Sequence, residues 1–556
     1  MKTFKYIFLV MLTISFAACN DIEDIDLTPD VETAALPELT AGSADFTNYV
    51  SLGNSLTAGF TDGALFIAGQ ENSIPNILSQ KFALAGGGSF DQPLMSDNTG
   101  GLLLGATPVV QYRLIFNGSG PQRLNEFFEE QGGSAPLPTS SLGVNNPTGP
   151  FNNMGVPGAK SFHLLAPGYG NIAGLSLDPP LANPYFVRMA TAPDASVIGD
   201  AVAQAPTFFS LWIGNNDVLG YATSGGDGTD PITPVSGMPG VGFDGSYGAL
   251  IAALTANGAS GVVANIPDVT SIPHFTTVPH NPLDPTNPRF GPQIPTLNGI
   301  FGQLNQVYTF LESVNPAISA EERSIEFSTT GASEVVIYDE TLIDISEQIR
   351  DVLLASDTFP VFVQSFGLPA AAAPAVATLL GNTYGQTREA TEDDLFVLPS
   401  SNVIGTVNEA SVAALSTQLP LALAGQFSVE GITLPLADKW VLIPSEQEEI
   451  AVATEAFNAI IANAASGAGL ALVDANTLLN QLANGGITSG DFTLTANLVT
   501  GSAFSLDGIH PTARGYALLA NEFMRAIDAT YGSNFEASGN FVNVGDYPTN
   551  YSPSLQ

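Results

Sequence analysis

Residues 49–57 read Tyr49-Val50-Ser51-Leu52-Gly53-Asn54-Ser55-Leu56-Thr57 and are the most informative segment of the chain. Its apolar first half predicts a short buried strand that ends at Gly53-Asn54, and a serine follows directly. Ligands and reacting groups collect at the carboxyl ends of strands in open α/β sheets. Near the other end of the chain, Asp507-Gly508-Ile509-His510 places a carboxylate and an imidazole three residues apart. A serine, a histidine and an aspartate together are the residues of nucleophilic hydrolysis.

Three further apolar runs predict strands, and the first of them is continuous, as expected for a strand that is covered on both faces. They span 207–213, 261–265 and 470–473. Helical spacing separates them, so the chain alternates between strands and helices. This alternation predicts an α/β fold in which a mostly parallel sheet lies between two layers of helices.

The predicted helices have recognisable ends. The helix over 73–84 stops before Gly86-Gly87-Gly88, and a second helix ends at Asn257-Gly258. Ser445 and Glu448 form a capping box for a third helix, which Gly467 closes. The last helix begins near Pro511-Thr512.

Two regions interrupt this alternation and are interpreted as insertions into one core. Residues of about 86–150 are rich in Gly, Pro and Asn, and residues 271–437 begin Pro-rich and continue with mixed helical and Ala-rich segments. The core therefore comprises 45–270 and 438–532. The second insertion is long enough to form a cap beside an active site, and 533–556 form a C-terminal tail.

The N-terminus is typical of an exported lipoprotein. Lys2 and Lys5 precede an apolar run over 6–16 that is shorter than a membrane span, and small residues come just before Cys19. We expect a signal peptide over 1–18 and lipidation of Cys19, which is the only cysteine. Residues 19–44 are acidic and are expected to form a tether. The protein would then be anchored in the bacterial outer membrane, facing the cell surface or the periplasm.

Composition excludes one large class of partner. The 556 residues include 14 Lys+Arg and 53 Asp+Glu, which gives a formal charge of −39. A nucleic-acid binder needs the opposite sign to displace counterions from phosphates. We therefore expect no nucleic-acid partner, and the apolar fraction of 45% is sufficient for a large core.

Four sequence blocks together resemble the SGNH/GDSL hydrolase family. In chain order they are Gly53-Asn54-Ser55-Leu56, Asn153-Met154-Gly155-Val156-Pro157-Gly158, Gly214-Asn215-Asn216-Asp217 and Asp507-Gly508-Ile509-His510-Pro511-Thr512. The resemblance covers the core and does not extend to the insertions. It implies an SGNH-type α/β/α fold and a serine esterase or acylhydrolase that acts through an acyl-enzyme.

The resemblance also implies a role for each matching residue. Ser55 would be the nucleophile, His510 the base and then the acid, and Asp507 the residue that orients the imidazole. The oxyanion hole would consist of the backbone amides of Ser55 and Gly155 and the side-chain amide of Asn216. The family has an aspartate where this chain has Asn54. That aspartate is not a triad member, so the change should alter local hydrogen bonding without abolishing the chemistry.

The remaining histidines and acidic residues give weaker signals. His274 and His280 are loop or packing residues, or else line a substrate cleft, and His163 is expected to be structural. The acidic glycine segment 225–230 is a turn, with calcium binding as its alternative. The chain has four histidines in all, with no H-E-x-x-H motif and no cysteine pair, so we expect no metal and no cofactor.

Two functions remain at this point. The first is an esterase whose substrate is a lipid ester or an acylated glycan. The alternative is a non-catalytic surface lipoprotein that uses a hydrolase-like core as a binding module, which Asn54 and the large insertions leave open.

Overall fold

The protein is described here from a computed structural model, which covers residues 35–143 and 146–555. The expected signal peptide, the expected lipidation site Cys19 and most of the expected tether lie outside the described residues.

A parallel five-stranded sheet forms the centre of a mixed α/β fold. Its strands, in chain order, are β1 (Tyr49–Gly53), β2 (Asn153–Gly155), β3 (Phe208–Trp212), β4 (Ser260–Ala264) and β5 (Ala471–Val473). Their order across the sheet is β5-β4-β3-β1-β2, and every pair is parallel. The expectation of a mostly parallel sheet is confirmed.

Both faces of the sheet are covered. Alternate residues of a strand point to opposite faces, so a strand that is buried along its whole length is covered on both sides. Every residue of β1 and of β3 is buried. The ring of Phe208 contacts Phe46 and Phe82, and the ring of Trp212 contacts Phe523. The residues between them in β3, Phe209 and Leu211, are equally inaccessible. Continuous apolar runs are the sequence signature of such doubly covered strands.

Eight helices accompany this sheet. They are α1 (Ser55–Ala58), α2 (Ile74–Leu84), α3 (Val197–Val202), α4 (Asn216–Thr223), α5 (Phe243–Thr255), α6 (Pro444–Ala468), α7 (Ala475–Ala483) and α8 (Ala513–Tyr531). The predicted starts of α2 and α8 are confirmed, since the side chains of Ser73 and Thr512 cap them.

The ends predicted for α6 are wrong by two residues. Pro444 is its first residue, and the carboxylate of Glu446, not of Glu448, accepts the N–H of Ile443 at 2.7 Å. Pro is favoured at this first position, where its missing N–H has no helical partner to lose. Gly469, rather than Gly467, closes the helix in a left-handed conformation.

The two expected insertions contain most of the remaining elements. The other strands are Leu102–Leu104, Thr107–Val110, Leu114–Phe116, Pro121–Arg123, Ser141–Leu142, Val336–Tyr338, Thr387–Glu389, Leu395–Phe396, Val441–Leu442, Ile487–Ser489 and Phe492–Leu494. The other α-helices are Ile67–Glu71, Leu124–Glu130, Pro184–Val187, Pro273–Thr276, Ile294–Val314, Ala320–Arg323, Ser346–Ala355, Phe359–Ser365, Ala373–Tyr384, Glu409–Leu415 and Leu421–Gln426. Residues between β4 and α6 build hydrophobic clusters apart from the main core, the largest around Ile294–Val314.

The described part of the tether is bonded to the core. Ser43 donates its N–H to the carbonyl of Tyr531, and Asn534 accepts from Thr40 and donates to the carbonyl of Glu38. The C-terminal tail is also packed, since Phe535 and Val544 are fully buried. A free tether is therefore wrong for residues 38–44.

None of the individual helices within residues 35–143 and 146–555 combines the length and the apolar composition of a membrane span. Two consecutive segments, Phe359–Ser365 and Ala370–Tyr384, meet the length and composition criteria only together, and they are bent by 112°.

Candidate active site

The three residues of the expected relay lie together at the carboxyl edge of the sheet. Ser55 is the first residue of α1, directly after β1, and His510 lies on the turn before α8. The Nε2 atom of His510 is 2.9 Å from Ser55 Oγ, and its Nδ1 atom is 2.8 Å from Asp507 Oδ2. Residues 455 positions apart in the chain thus form one hydrogen-bonded line.

Asp507 is held as a carboxylate by the groups around it. Its Oδ1 accepts the N–H groups of Ile509 and His510 and the hydroxyl of Ser505, and its Oδ2 accepts the N–H of Gly63. Burial by itself would raise the pKa of Asp507, but the imidazole of His510 and the donated hydrogen bonds outweigh burial and hold the pKa well below its usual range. Asp507 therefore stays ionised and fixes a proton on Nδ1 of His510, which leaves Nε2 free to accept one.

The segment after α1 supports the histidine from the other side. The ring of Phe60 lies 4.6 Å from the imidazole of His510, and Tyr516 donates its hydroxyl to the carbonyl of Phe60 at 2.6 Å. Thr61 donates its hydroxyl to the carbonyl of Pro511 at 2.9 Å. Sequence reasoning did not single out these residues, because backbone and ring contacts of this kind leave no motif.

Asp62 is a buried carboxyl group beside this site. Its Oδ1 accepts the N–H of Leu506 at 3.1 Å, and its backbone has a φ of 51°, which asparagine and aspartate tolerate better than most residues. Burial is the largest effect on the pKa of Asp62 and raises it. The N–H of Leu506 lowers this pKa, whereas repulsion from Asp507 raises it further, and the resulting pKa is about 7.

We expect Asp62→Asn to stabilise the protein increasingly as the pH rises. A carboxyl group with a raised pKa in the folded state adds stability at low pH and loses it as the pH rises toward that value of about 7. The asparagine does not ionise and still offers an oxygen to Leu506. In scanning calorimetry, the Tm of the variant minus the Tm of the wild type should therefore increase between pH 4.5 and pH 8. The exposed Asp393→Asn is the control, and a Tm difference independent of pH would contradict the expectation.

Two of the three expected oxyanion donors are available. The N–H of Ser55 donates no hydrogen bond within the described residues, as expected at the first position of a helix. Asn216 Nδ2 donates one proton to the carbonyl of Ala159 at 2.9 Å, which leaves its second proton free. Asn216 lines the same pocket as Ser55 and His510.

The expected role of Gly155 is wrong. Its N–H donates to Asn153 Oδ1 at 3.0 Å, and the residue is buried against α1. A Cβ at this position would lie 2.4 Å from the N atom of Ala58, so glycine is required for close packing of β2 on α1. Gly158 is the exposed glycine of the block, and its N–H donates no hydrogen bond among residues 35–143 and 146–555. It precedes Ala159, which holds Asn216, and is thus the better candidate for a third donor.

The side-chain amide of Asn54 has a structural role, because its oxygen and its nitrogen both form hydrogen bonds. Its Oδ1 accepts the N–H of Leu56 at 3.0 Å and thereby caps α1, while its Nδ2 donates to Asn215 Oδ1 at 3.1 Å. The side chain thus links the segment of Ser55 to the segment of Asn216.

An apolar pocket opens directly from the serine. Its polar end is formed by Ser55, His510 and Asn216, and the centre of a water-sized sphere can reach about 90 Å³ of it. The other walls are almost wholly apolar, and α7 and α8 contribute five leucines to them; they include Trp212, Val269, Ile272, Leu478, Leu479, Leu482, Phe504, Leu518 and Leu519.

Residues 271–437 support the turn that carries Asp507 and His510 more than they line this pocket. Of residues 271–437, Ile272 alone lines the pocket. The N–H of His274 donates to the carbonyl of Gly508 at 3.0 Å, and the side chain of Leu398 packs near Gly508. His274 is buried, and burial lowers its pKa although Asp507 partly offsets the effect.

The other sequence-selected residues lie elsewhere. His280 is half-buried and lines a separate polar cleft. His163 Nδ1 accepts the N–H of Lys160 and its ring stacks on Tyr169, while burial lowers its pKa to about 4. In the segment 225–230, Asp227 caps its own turn through Thr229, and Asp230 accepts Lys160 Nζ at 2.6 Å.

No family model, no curated protein and no solved structure matches this chain.

Proposed function

We propose that the protein is a serine ester hydrolase of the SGNH/GDSL type that forms an acyl-enzyme on Ser55. The single observation that carries the proposal is the unbroken line from Ser55 Oγ through the imidazole of His510 to Asp507, at 2.9 and 2.8 Å. A nucleophile within hydrogen-bond reach of a base that a third group orients is the geometric signature of such catalysis.

The reaction follows from these contacts. His510 Nε2 removes the proton of Ser55 as Oγ attacks the ester carbonyl carbon. The resulting tetrahedral intermediate collapses when His510 returns that proton to the leaving alcohol, and the acyl group stays on Ser55. Water then attacks the acyl-enzyme with His510 again as base, which releases the carboxylic acid and restores the serine.

The negative oxygen of the intermediate needs donors on the other side of the serine. We assign the N–H of Ser55 and the free proton of Asn216 Nδ2 to this role, with the N–H of Gly158 as the third donor in place of Gly155. One such donor contributes about 2.7–4 kcal/mol to lowering the barrier.

The apolar pocket favours an ester with a hydrocarbon acyl chain. A chain bonded to the carbonyl at Ser55 would enter a space walled by leucines of α7 and α8, and each buried CH₂ contributes about 0.8 kcal/mol. An acetyl group has no hydrocarbon chain that could contact these apolar walls. Of the two substrate classes that the sequence left open, a lipid ester therefore fits better than an acetylated glycan.

We expect Leu478→Trp to shorten the preferred acyl chain. Leu478 is half-buried in the pocket wall, so a larger ring can enter the pocket without displacing the core. Single-methylene differences in a hydrophobic pocket change specificity about 10–200-fold. The ratio of kcat/KM for p-nitrophenyl octanoate over p-nitrophenyl acetate should fall about 10-fold or more.

The matched control for this prediction is Leu472→Trp. Leu472 lies on β5, is 36% exposed and is not part of the pocket. An equal fall in the ratio for both variants, or an unchanged ratio for Leu478→Trp, would contradict the placement of the acyl chain.

The proposal includes the SGNH-type core with an inserted region, and anchorage of the exported protein to the outer membrane through Cys19. A membrane-anchored acylhydrolase would meet lipid esters at the surface to which it is attached. The test of the function itself is turnover of p-nitrophenyl esters of increasing chain length by wild type and by the Ser55→Ala variant.

A further inference from the structure

Three carboxylates converge at a place remote in sequence from the serine. Glu340 follows the strand Val336–Tyr338, Asp438 begins the 3₁₀ turn Asp438–Trp440, and Glu446 lies in the first turn of α6. One oxygen from each lies within 4.8 Å of the oxygens from the other two. Oxygens that bind one Ca²⁺ at about 2.3–2.6 Å are at most about 5 Å from one another.

The most buried of the three has an oxygen with no partner. Glu446 is 4% exposed, and its Oε2 accepts the N–H of Ile443 at 2.7 Å. Its Oε1 is inaccessible and has no hydrogen-bond partner within the described residues. A buried polar oxygen left without a partner is costly, and an ionised one more so.

No basic side chain neutralises the cluster. Within residues 35–143 and 146–555, none of the three carboxylates takes part in an ion pair. The neighbouring ammonium group, that of Lys439, lies 5.0 Å from the centre of the Trp440 ring.

Two glycines bring the backbone close to the cluster. Gly226 has a φ of +78°, and a Cβ there would lie 2.0 Å from Glu446 Oε1. A Cβ on Gly225 would lie 2.3 Å from the carbonyl oxygen of Asp438. The backbone of the glycine segment therefore packs against the free oxygen of Glu446 and against the carbonyl of Asp438.

We propose that Glu340, Asp438 and Glu446 bind one divalent cation, with Ca²⁺ the preferred ion. Three carboxylates without nitrogen or sulfur ligands are a hard, all-oxygen set, which suits Ca²⁺ and Mg²⁺. Glu340 is exposed, so water can complete the coordination on that side. The ion would tie the region between β4 and α6 to the start of α6, which packs on the core.

The test is calcium binding by the purified protein after removal of metal with EDTA. In isothermal titration calorimetry at 0.15 M NaCl, we expect one site with a Kd of about 10⁻⁴–10⁻³ M for Ca²⁺ and weaker binding of Mg²⁺. Calcium at 5 mM should raise the Tm by about 1–3 °C. Glu446→Gln keeps an acceptor for Ile443 but should weaken binding at least about 10-fold and abolish the Tm rise.

The exposed Glu392→Gln is the control for general loss of negative charge, and it should bind like the wild type. If Glu446→Gln fails to fold, Glu340→Gln tests the same site, because that side chain is exposed. Absence of a saturable calcium site in the wild type, or equal binding by the wild type and by both site variants, would overturn the proposal. Glu446 would then be a protonated buried acid.

Discussion

A Ser55→Ala variant is expected to lose hydrolysis of p-nitrophenyl esters by about 10⁶-fold in kcat, as serine hydrolases do when the nucleophile is removed. The alanine has no atom that can form the acyl bond, so His510 Nε2 is left beside an empty position. The fold should persist, because Ser55 Oγ forms its one described side-chain hydrogen bond with His510. The residual rate would come from the pocket and the oxyanion donors alone.

The control for this variant is the exposed Ser89→Ala, which should match the wild type in both rate and Tm. A Ser55→Ala protein with the wild-type Tm and more than a tenth of the wild-type rate would exclude the proposed mechanism.

Replacing Asp507 by asparagine is expected to lower kcat about 10⁴-fold. The amide oxygen can keep the N–H groups of Ile509 and His510, so the turn should stay folded. The amide nitrogen would face His510 Nδ1 as a donor, which forces the other tautomer and puts the proton on Nε2, where a base is needed. The lost carboxylate also no longer stabilises the imidazolium.

The Asp507→Asn variant separates the orientation of His510 by Asp507 from the nucleophilicity of Ser55. The Tm should change much less than the rate, and KM should stay within a few-fold, because Asp507 is not part of the pocket wall. Asp200→Asn is the control, since Asp200 accepts a backbone N–H and a hydroxyl from Thr191 in a region that does not contact Ser55. A rate loss of the same size in both variants would assign the effect to folding.

The sequence could predict the site where residue type and strand position coincide. The apolar run before Gly53 places Ser55 at the carboxyl edge of a buried strand, and the run over 207–213 does the same for Asn216. The D-x-x-H spacing brings the carboxylate of Asp507 to Nδ1 of His510, the ring nitrogen that does not face Ser55. These are local patterns, and their meeting at one edge follows from parallel strands with their carboxyl ends on the same side.

The parts that sequence could not predict depend on backbone groups and on distant packing. Gly155 and Gly158 look equivalent in the motif, and only the fold shows that the first donates to Asn153 while the second is exposed. The support of Asp507 by the N–H of Gly63 has no side-chain signature. Glu340 and Glu446 are separated by about a hundred residues in an acidic chain, so their proximity could not be distinguished from that of many other acidic pairs.

Labelling with a fluorophosphonate probe tests whether Ser55 is an activated nucleophile. We predict stoichiometric labelling of the wild type at neutral pH, with the adduct on the peptide that contains Ser55 in mass spectrometry. Labelling should vanish in Ser55→Ala and slow by several orders of magnitude in His510→Ala. A folded wild-type protein that remains unlabelled, or that is labelled equally in Ser55→Ala, would contradict the account and favour a binding module without catalysis.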